Sequence, residues 1–185
     1  MPPVADKQLE ERIVTAARQL WREQGDKGLT LRAVARAAGT TTPTVYKRFR
    51  NKEAIRLALA LRIRAELNAE LFASSCLEEV FQRYLAYAEA NPREYDLLRL
   101  SWAQFYTPDL PRPGRAWVSA HMAARFGGRP EDYGQIVDAL SMLCHGTATV
   151  LTVGGSSAAH KAMREACLKF CDQVIEHIKV FRSRE

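Results

Sequence analysis

The 185-residue sequence has no long apolar run that is free of charge. A helix that spans a bilayer needs about 18 or more predominantly apolar residues in succession. The most apolar stretch, residues 136–153, is interrupted by Asp138 and His145. The sequence therefore excludes a transmembrane helix and predicts a globular chain.

Cysteine is scarce, and no secretory signal is evident. The N-terminal segment carries five charged residues between positions 6 and 12, where a signal peptide needs an apolar stretch. The spacing of the cysteines is irregular, unlike that of a disulfide framework. We therefore expect a cytoplasmic protein with reduced thiols. The four cysteines are Cys76, Cys144, Cys167 and Cys171.

Motifs typical of enzymes are also absent. The sequence contains no Gly-x-Ser-x-Gly, no phosphate-cradling glycine loop and no HExxH. We predict no catalytic residue, no cofactor and no metal site. One alternative stays open: Cys167 and Cys171 share a helix face, and with His145 or His177 they could hold a metal or sense oxidants. The competing interpretation is two buried free thiols.

No stretch alternates as a strand does, and helical periodicity runs through nearly the whole chain. The first helix should end at Gly25 or Gly28, the second should be capped by Thr30 and end at Gly39, and a third should carry Pro43 in its first turn. The sequence predicts an all-α fold of about nine helices. After a fourth helix from Asn51 to about residue 73, the other predicted helices are 77–90, 92–105, 115–126, 131–153 and 157–181.

Acidic residues are missing from one segment near the N-terminus. Residues 27–52 contain seven Lys or Arg and no Asp or Glu, and residues 1–50 carry +5 of the net charge of +6. Such a segment suits a polyanionic partner, although a solvated basic face is the alternative.

The same segment has the layout of a helix-turn-helix. A short helix is followed by a turn at Gly39 and by a second short helix with small polar residues at its start. Small side chains there allow the helix to approach base edges in the major groove of DNA. The residues with this property are Thr41, Thr42, Thr44 and Lys47.

Residues 35–55, ARAAGTTTPTVYKRFRNKEAI, resemble the signature of the TetR family of bacterial transcriptional regulators. The amphipathic helix before this segment and the long helix after it fit the family layout as well. Two positions depart from the common pattern, since Thr40 replaces a frequent valine and Arg48 a frequent histidine. The matching positions are Ala35, Ala38, Gly39, Thr44, Tyr46, Phe49, Lys52, Glu53 and Ala54.

The resemblance implies roles for individual residues. Thr30, Tyr46 and Lys52 fall where relatives contact phosphates, and Arg32 falls where some relatives reach a guanine. Residues 41–44 correspond to the reading end of the recognition helix. We thus predict DNA contacts by Thr30, Arg32, Thr41, Thr42, Pro43, Thr44, Tyr46, Lys47 and Lys52. Alternatively, the Tyr46 and Phe49 side chains belong to the core, which we prefer for Phe49, and Lys47, Arg48 and Arg50 form a solvated face.

The resemblance also implies two domains: a helix-turn-helix domain at residues 1–52 and an effector-binding, dimerisation bundle at residues 53–185. Cys144-His145-Gly146 resembles the Trp-His-Gly motif of one subgroup of the family, with Cys144 in place of the tryptophan. The predicted effector residues are Tyr84, Trp102, Phe105, Tyr106, Trp117, His121, Met142 and His145. The alternative is that most of these aromatic residues belong to the core, which we prefer for His145. The predicted dimer contacts are Leu143, Thr147, Val150, Phe170, Val174 and His177, although each apolar stripe could instead face its own core.

The predicted function is that of a ligand-responsive transcriptional regulator. We expect a homodimeric repressor that a small hydrophobic or aromatic effector releases from a pseudo-palindromic, double-stranded DNA operator. The alternative is a thiol- or metal-responsive DNA-binding sensor without an organic effector.

Overall fold

The computed structural model describes residues 4–107, 110–153 and 157–181, and every regular element in them is a helix. The all-α prediction is confirmed. None of the described helices is long and apolar enough to cross a membrane. The α-helices are α1 Val4–Gly28, α2 Leu31–Ala37, α3 Thr42–Tyr46, α4 Lys52–Phe72, α5 Leu77–Ala90, α6 Pro92–Leu100, α7 Trp102–Phe105, α8 Pro113–Phe126, α9 Gly134–Leu151, α10 Ala158–Glu176 and α11 Ile178–Phe181, with a 3-10 helix at Pro130–Tyr133.

Three predicted helices are divided in the structure. The helix expected at 92–105 is interrupted at Ser101, the one at 131–153 begins as a 3-10 turn, and the one at 157–181 is interrupted at His177. The predictions rested on apolar periodicity, which continues across a one-residue change of direction. Periodicity therefore located the helical segments without locating the breaks inside them.

The chain forms two compact units, divided between Arg64 and Ala65. This division lies inside α4, whereas the predicted functional boundary at 52/53 lies at its start. In the first unit, α2 packs against α1 and α3. Ile13, Trp21 and Val34 are buried in its core, and each such side chain contributes about 1.5–3 kcal/mol of hydrophobic stabilisation.

In the second unit, α5, α9 and α10 pack on one another, and α8 packs against the 3-10 helix and α9. The start of α8 is two residues earlier than predicted because Pro113 occupies its first turn. Its end follows the prediction, since Gly127 and Gly128 both take positive φ. The core of this unit includes Leu85, Met122 and Leu140.

Candidate functional site

The helix-turn-helix forms from local signals in the sequence. Thr30 caps α2 by accepting a hydrogen bond from the Ala33 amide at 3.1 Å. The chain then reverses at Gly39, whose φ of +62° is costly for any residue with a Cβ atom. Thr41 caps α3 in the same way as Thr30, with its hydroxyl 3.4 Å from the Thr44 amide and 2.8 Å from the Thr44 hydroxyl. Both caps thus use residues that we predicted to contact DNA.

The two faces of α3 differ in exposure. Val45 is fully buried and Phe49, just beyond the helix, is 4% exposed, so that Phe49 is a core residue, as preferred above. Pro43 and Lys47 are exposed, and Tyr46 is 54% exposed, which removes the alternative that its ring lies in the core. Thr41 is exposed, and Thr42 and Thr44 are partly exposed.

Basic side chains extend the exposed surface on both sides of the turn. Among the residues of the acid-free segment 27–52, five Lys or Arg side chains on α2 and around α3 are exposed. Thr30, ahead of α2, is exposed as well, and its hydroxyl proton remains available because the oxygen serves as an acceptor in the cap. The five are Arg32, Arg36, Lys47, Arg48 and Arg50.

Lys52, also predicted to contact DNA, forms an ion pair within the first unit. Its ammonium group lies 2.9 Å from a carboxylate oxygen of Asp26 and 2.7 Å from the Asp26 carbonyl oxygen. Arg56 approaches the same carboxylate at 3.7 Å. A phosphate contact by Lys52 would therefore compete with the Asp26 carboxylate.

Arg12 is an important residue of this unit that the sequence analysis missed. From α1, its Nη2 donates hydrogen bonds to the carbonyl oxygens of Ala38 at 2.6 Å and Gly39 at 3.3 Å. These carbonyls belong to the turn between α2 and α3, and their position relative to α1 is thereby fixed. No local motif reveals this contact, because 26 residues separate Arg12 from Ala38.

In the second unit, an aromatic cluster surrounds His145. Its ring stacks on Trp102 with centroids 3.8 Å apart and an interplanar angle of 11°. The hydroxyl of Tyr95 lies 2.7 Å from His145 Nδ1 and 3.2 Å from the hydroxyl of Tyr84. Tyr106 adjoins Trp102 at 5.5 Å. The structure thus brings together four predicted effector residues, Tyr84, Trp102, Tyr106 and His145. Tyr95, at the centre of this aromatic cluster, was not among the predicted residues.

Burial determines the ionisation of this cluster. Burial, followed by the charge of Arg99, lowers the pKa of His145 to about 4, so the ring is neutral at pH 7. Burial also raises the pKa of Tyr84 and Tyr95, which keeps both hydroxyls protonated. The indole Nε1–H of Trp102 is buried and finds no acceptor among the described residues. Trp102 therefore offers an uncommitted hydrogen-bond donor in an aromatic environment.

The other predicted effector residues lie elsewhere. Trp117 and His121 stack on each other with centroids 3.6 Å apart, and Phe72 stacks on Trp117 at 5.7 Å. Phe105 is buried in the core, whereas Met142 is exposed on α9.

The second unit also contains a groove of about 440 Å³. Unlike the aromatic cluster, this groove is lined partly by charged side chains. Arg164 and Glu89 pair across it at 3.3 Å, and the buried Nδ1 of His160 has no hydrogen-bond partner among the described residues. Sequence reasoning missed this groove because its residues are distant in sequence. The lining residues are Glu89, Pro92, Leu151, Thr152, His160, Lys161 and Arg164.

The predicted dimer residues fall into two groups. Val150, Phe170 and His177 are exposed on α9, on α10 and at the end of α10, and Leu143 is partly exposed. Thr147 and Val174 are instead buried within the protomer, where they cannot contact a second copy. The apolar stripes predicted as interfaces therefore also face the protomer's own core.

Three of the four cysteines meet in the second unit. The Sγ of Cys144 lies 4.0 Å from that of Cys167 and 3.9 Å from that of Cys171, and all three are buried free thiols. Contacts with the other two sulfurs and burial raise the pKa of Cys144. The suggested partners His145 and His177 are engaged elsewhere, with Tyr95 and with the Gln173 carbonyl. The residue that joins Cys167 and Cys171 is therefore Cys144 and not one of the two histidines.

Comparison with known proteins identifies the helix-turn-helix region. Residues 13–59 match the family model of bacterial regulatory proteins of the tetR family. No curated protein matches the sequence.

Solved structures of similar fold cover nearly the whole chain. TetR-Q116A from Acinetobacter baumannii AYE, in complex with minocycline, has a TM-score of 0.68 at 19% identity over 93% of this chain and 97% of its own. FadR from Thermus thermophilus, a TetR-family transcriptional repressor in complex with lauroyl-CoA, has a TM-score of 0.61 at 22% identity over 95% and 96%.

These comparisons do not confirm the subgroup with a Trp-His-Gly motif. They describe regulatory proteins, not enzymes. Residues 13–59, which contain the helix-turn-helix, thus match the tetR family of bacterial regulatory proteins, and the all-helical fold is similar to that of solved TetR-family structures over nearly the whole chain.

Proposed function

We propose that this protein is a homodimeric repressor that binds a pseudo-palindromic operator and leaves it when a small hydrophobic or aromatic molecule binds the second unit. The observation that carries the proposal is the exposed face of α3. Pro43, Tyr46 and Lys47 are exposed there, while Val45 holds the opposite face in the core. The predicted domains, 1–52 for DNA and 53–185 for effector and dimerisation, belong to this proposal.

The residues around α3 suit base and backbone contacts. Pro43 and Thr44 offer apolar groups to a thymine methyl, and Arg32 has the donors for a bidentate contact with guanine. Tyr46, with its exposed ring and hydroxyl, suits a phosphate. The surrounding basic side chains add sequence-independent attraction to the DNA backbone.

An exposed glycine supports dimerisation through α9 and α10. Gly146 lies in the middle of α9, and a Cβ atom built there meets nothing within 4 Å. Glycine costs a helix about 1 kcal/mol relative to alanine, so its presence on an open face suits the close approach of another helix. Val150 and Phe170 are exposed apolar residues of the same two helices. A two-fold dimer would place two recognition helices about 34 Å apart, one turn of DNA.

The aromatic cluster supports an organic effector. The buried Trp102 Nε1–H lacks an acceptor, and the neutral His145 and its tyrosine neighbours form an apolar wall with few polar groups. Two proteins of similar fold hold organic molecules, minocycline and lauroyl-CoA. An effector that prefers a different conformation from the operator would shift the population away from the DNA-bound form.

The test is a gel-shift and footprinting experiment on the DNA upstream of the protein's own and neighbouring genes. We expect sequence-preferential protection of two half-sites, and Lys47→Ala should weaken binding by about tenfold. Lys179→Ala, which removes an exposed charge from α11, outside the recognition helix and the proposed dimer helices, is the matched control and should bind as the unaltered protein does. The absence of sequence preference at moderate salt would refute the proposal.

A specific observation also favours the second candidate, a thiol- or metal-responsive DNA-binding sensor. It is the meeting of three buried thiols from α9 and α10. The cytoplasmic location stays a prediction under either function.

A further inference from the structure

Three buried thiols from two neighbouring helices lie together in the second unit. Cys144 comes from α9, and Cys167 and Cys171 lie one turn apart on α10. The three Sγ atoms all lie within 4.8 Å of one another. Within residues 4–107, 110–153 and 157–181, no His, Asp, Glu or fourth Cys joins the group. We call these three residues the thiol triad.

The separations within the thiol triad fit a single bound atom. Sulfur ligands at a typical distance of about 2.3 Å lie about 3.8 Å apart around a tetrahedral centre, and about 3.5 Å apart around a pyramidal trivalent centre with angles near 100°. The two distances measured from the Cys144 sulfur are 4.0 and 3.9 Å. Three sulfurs can therefore bind one atom, and a pyramidal trivalent centre requires them to approach one another by only about 0.5 Å.

Burial limits the net charge that the three sulfurs and a bound atom can carry together. An uncompensated charge in an apolar interior is very costly. Asp172, which is itself negative, raises the pKa of Cys171, and the Thr147 hydroxyl hydrogen-bonds to Cys167. Three thiolates around Zn²⁺ leave one negative charge and around Cu⁺ leave two. Around a trivalent centre they leave none.

We propose that the thiol triad binds a trivalent thiophilic metalloid of the arsenite class. The reaction is a condensation in which As(OH)3 and three thiols give As(SR)3 and three molecules of water. Each S–H proton leaves with one hydroxide of arsenite, three As–O bonds break and three As–S bonds form. Arsenic remains trivalent and sulfur is not oxidised, so no oxidant or reductant takes part.

The position of the thiol triad connects it to the rest of the second unit. Cys144 directly precedes His145 of the aromatic cluster, and the same two helices carry the exposed residues Val150 and Phe170. Three covalent bonds would join α9 to α10 at a fixed distance. We expect arsenite binding to change the affinity for the operator, a step that rests on the proposed function, whereas the binding itself does not.

The binding test uses the purified full-length protein, reduced with a phosphine, and sodium arsenite as the probe. We expect one arsenic per chain, the loss of three of the four reactive thiols after denaturation, and a shell of three sulfurs in X-ray absorption of the bound arsenic. Cys144→Ala, Cys167→Ala and Cys171→Ala should each weaken binding by more than about tenfold. Cys76→Ala is the matched control, because Cys76 is exposed and outside the triad, and it should bind normally.

The sulfur shell keeps the test decisive even if an alanine variant misfolds, because it is measured on the unaltered protein. A shell of two sulfurs, no binding, or tighter binding of Zn²⁺ or Cu⁺ than of arsenite would each overturn the proposal. Gel shifts with and without arsenite form a separate arm. Tight three-sulfur binding without sequence-preferential DNA binding would support the site and refute the proposed function, whereas unchanged operator binding would overturn only the regulatory step.

Discussion

Replacement of Tyr95 by phenylalanine tests the aromatic cluster directly. Tyr95 is fully buried, and its hydroxyl lies 2.7 Å from His145 Nδ1, 3.2 Å from the His145 carbonyl oxygen and 3.2 Å from the Tyr84 hydroxyl. The ring of phenylalanine fills the same space, so the change removes hydrogen bonds without creating a large cavity. The Tyr84 hydroxyl and His145 Nδ1 then lose their partner.

The magnitude follows from the groups left unsatisfied. A buried polar group that loses its partner costs about 1–3 kcal/mol. Because Tyr84 and His145 are both affected, we expect Tyr95→Phe to lower the free energy of unfolding by about 2 kcal/mol. In a chain of this length this corresponds to a decrease in Tm of about 4–8 °C.

Tyr84→Phe is the matched control for this prediction. It removes the 3.2 Å contact at the edge of the cluster but leaves Tyr95 bonded to His145. We expect it to cost about 0.5–1 kcal/mol. Urea unfolding, followed by circular dichroism and tryptophan fluorescence, measures both variants. If Tyr84→Phe destabilised the protein as much as Tyr95→Phe, the central role of the Tyr95 hydroxyl would be refuted.

Three further predictions concern capping, pH and dimerisation. Asn51→Ala should lower the free energy of unfolding by about 1 kcal/mol, because the Asn51 side chain caps α4 by accepting a hydrogen bond from the Ala54 amide at 2.8 Å. Asn51→Asp should retain most of this stability. Equal losses for the two variants in thermal unfolding would contradict the capping role. His145 has a folded pKa near 4, below its unfolded value, so its contribution to stability is present above about pH 6.5 and is lost as the pH falls towards 4. The difference in urea midpoint between the unaltered protein and His145→Gln should change across this window, and a constant difference would refute the assignment. Gly146→Leu should convert the proposed dimer to a monomer in analytical ultracentrifugation, while Ala124→Leu, at an exposed position of α8, does not. A dimer in both variants would exclude close packing at Gly146.

Much of the first unit could be predicted because its signals are local. A cap such as Thr30 or Thr41 bonds to an amide three residues away, and the positive φ of Gly39 follows from the need to reverse the chain. The motif 35–55 predicted both the helix-turn-helix and the family that residues 13–59 match. Arg12 was missed, since its contacts with Ala38 and Gly39 require α1 to be placed beside the turn.

The second unit was predicted less completely. The helices α5, α9 and α10 were located, and four members of the aromatic cluster were named. Tyr95 was not among them, because nothing near it in the sequence distinguishes a core tyrosine from one bonded to a histidine 50 residues away. Thr147 and Val174 were assigned to the dimer interface although they are buried in the protomer.

The sequence by itself determined the helical fold, the helix-turn-helix and the basic segment that suits DNA. These features depend on residues within a few positions of one another, where caps, turns and charge act directly. The tertiary structure alone decided that Cys144 joins Cys167 and Cys171, and that Tyr95 joins His145. Helical periodicity shows which side of a helix is apolar, but the neighbour that covers it depends on how the helices cross, and that is fixed by packing of the whole unit.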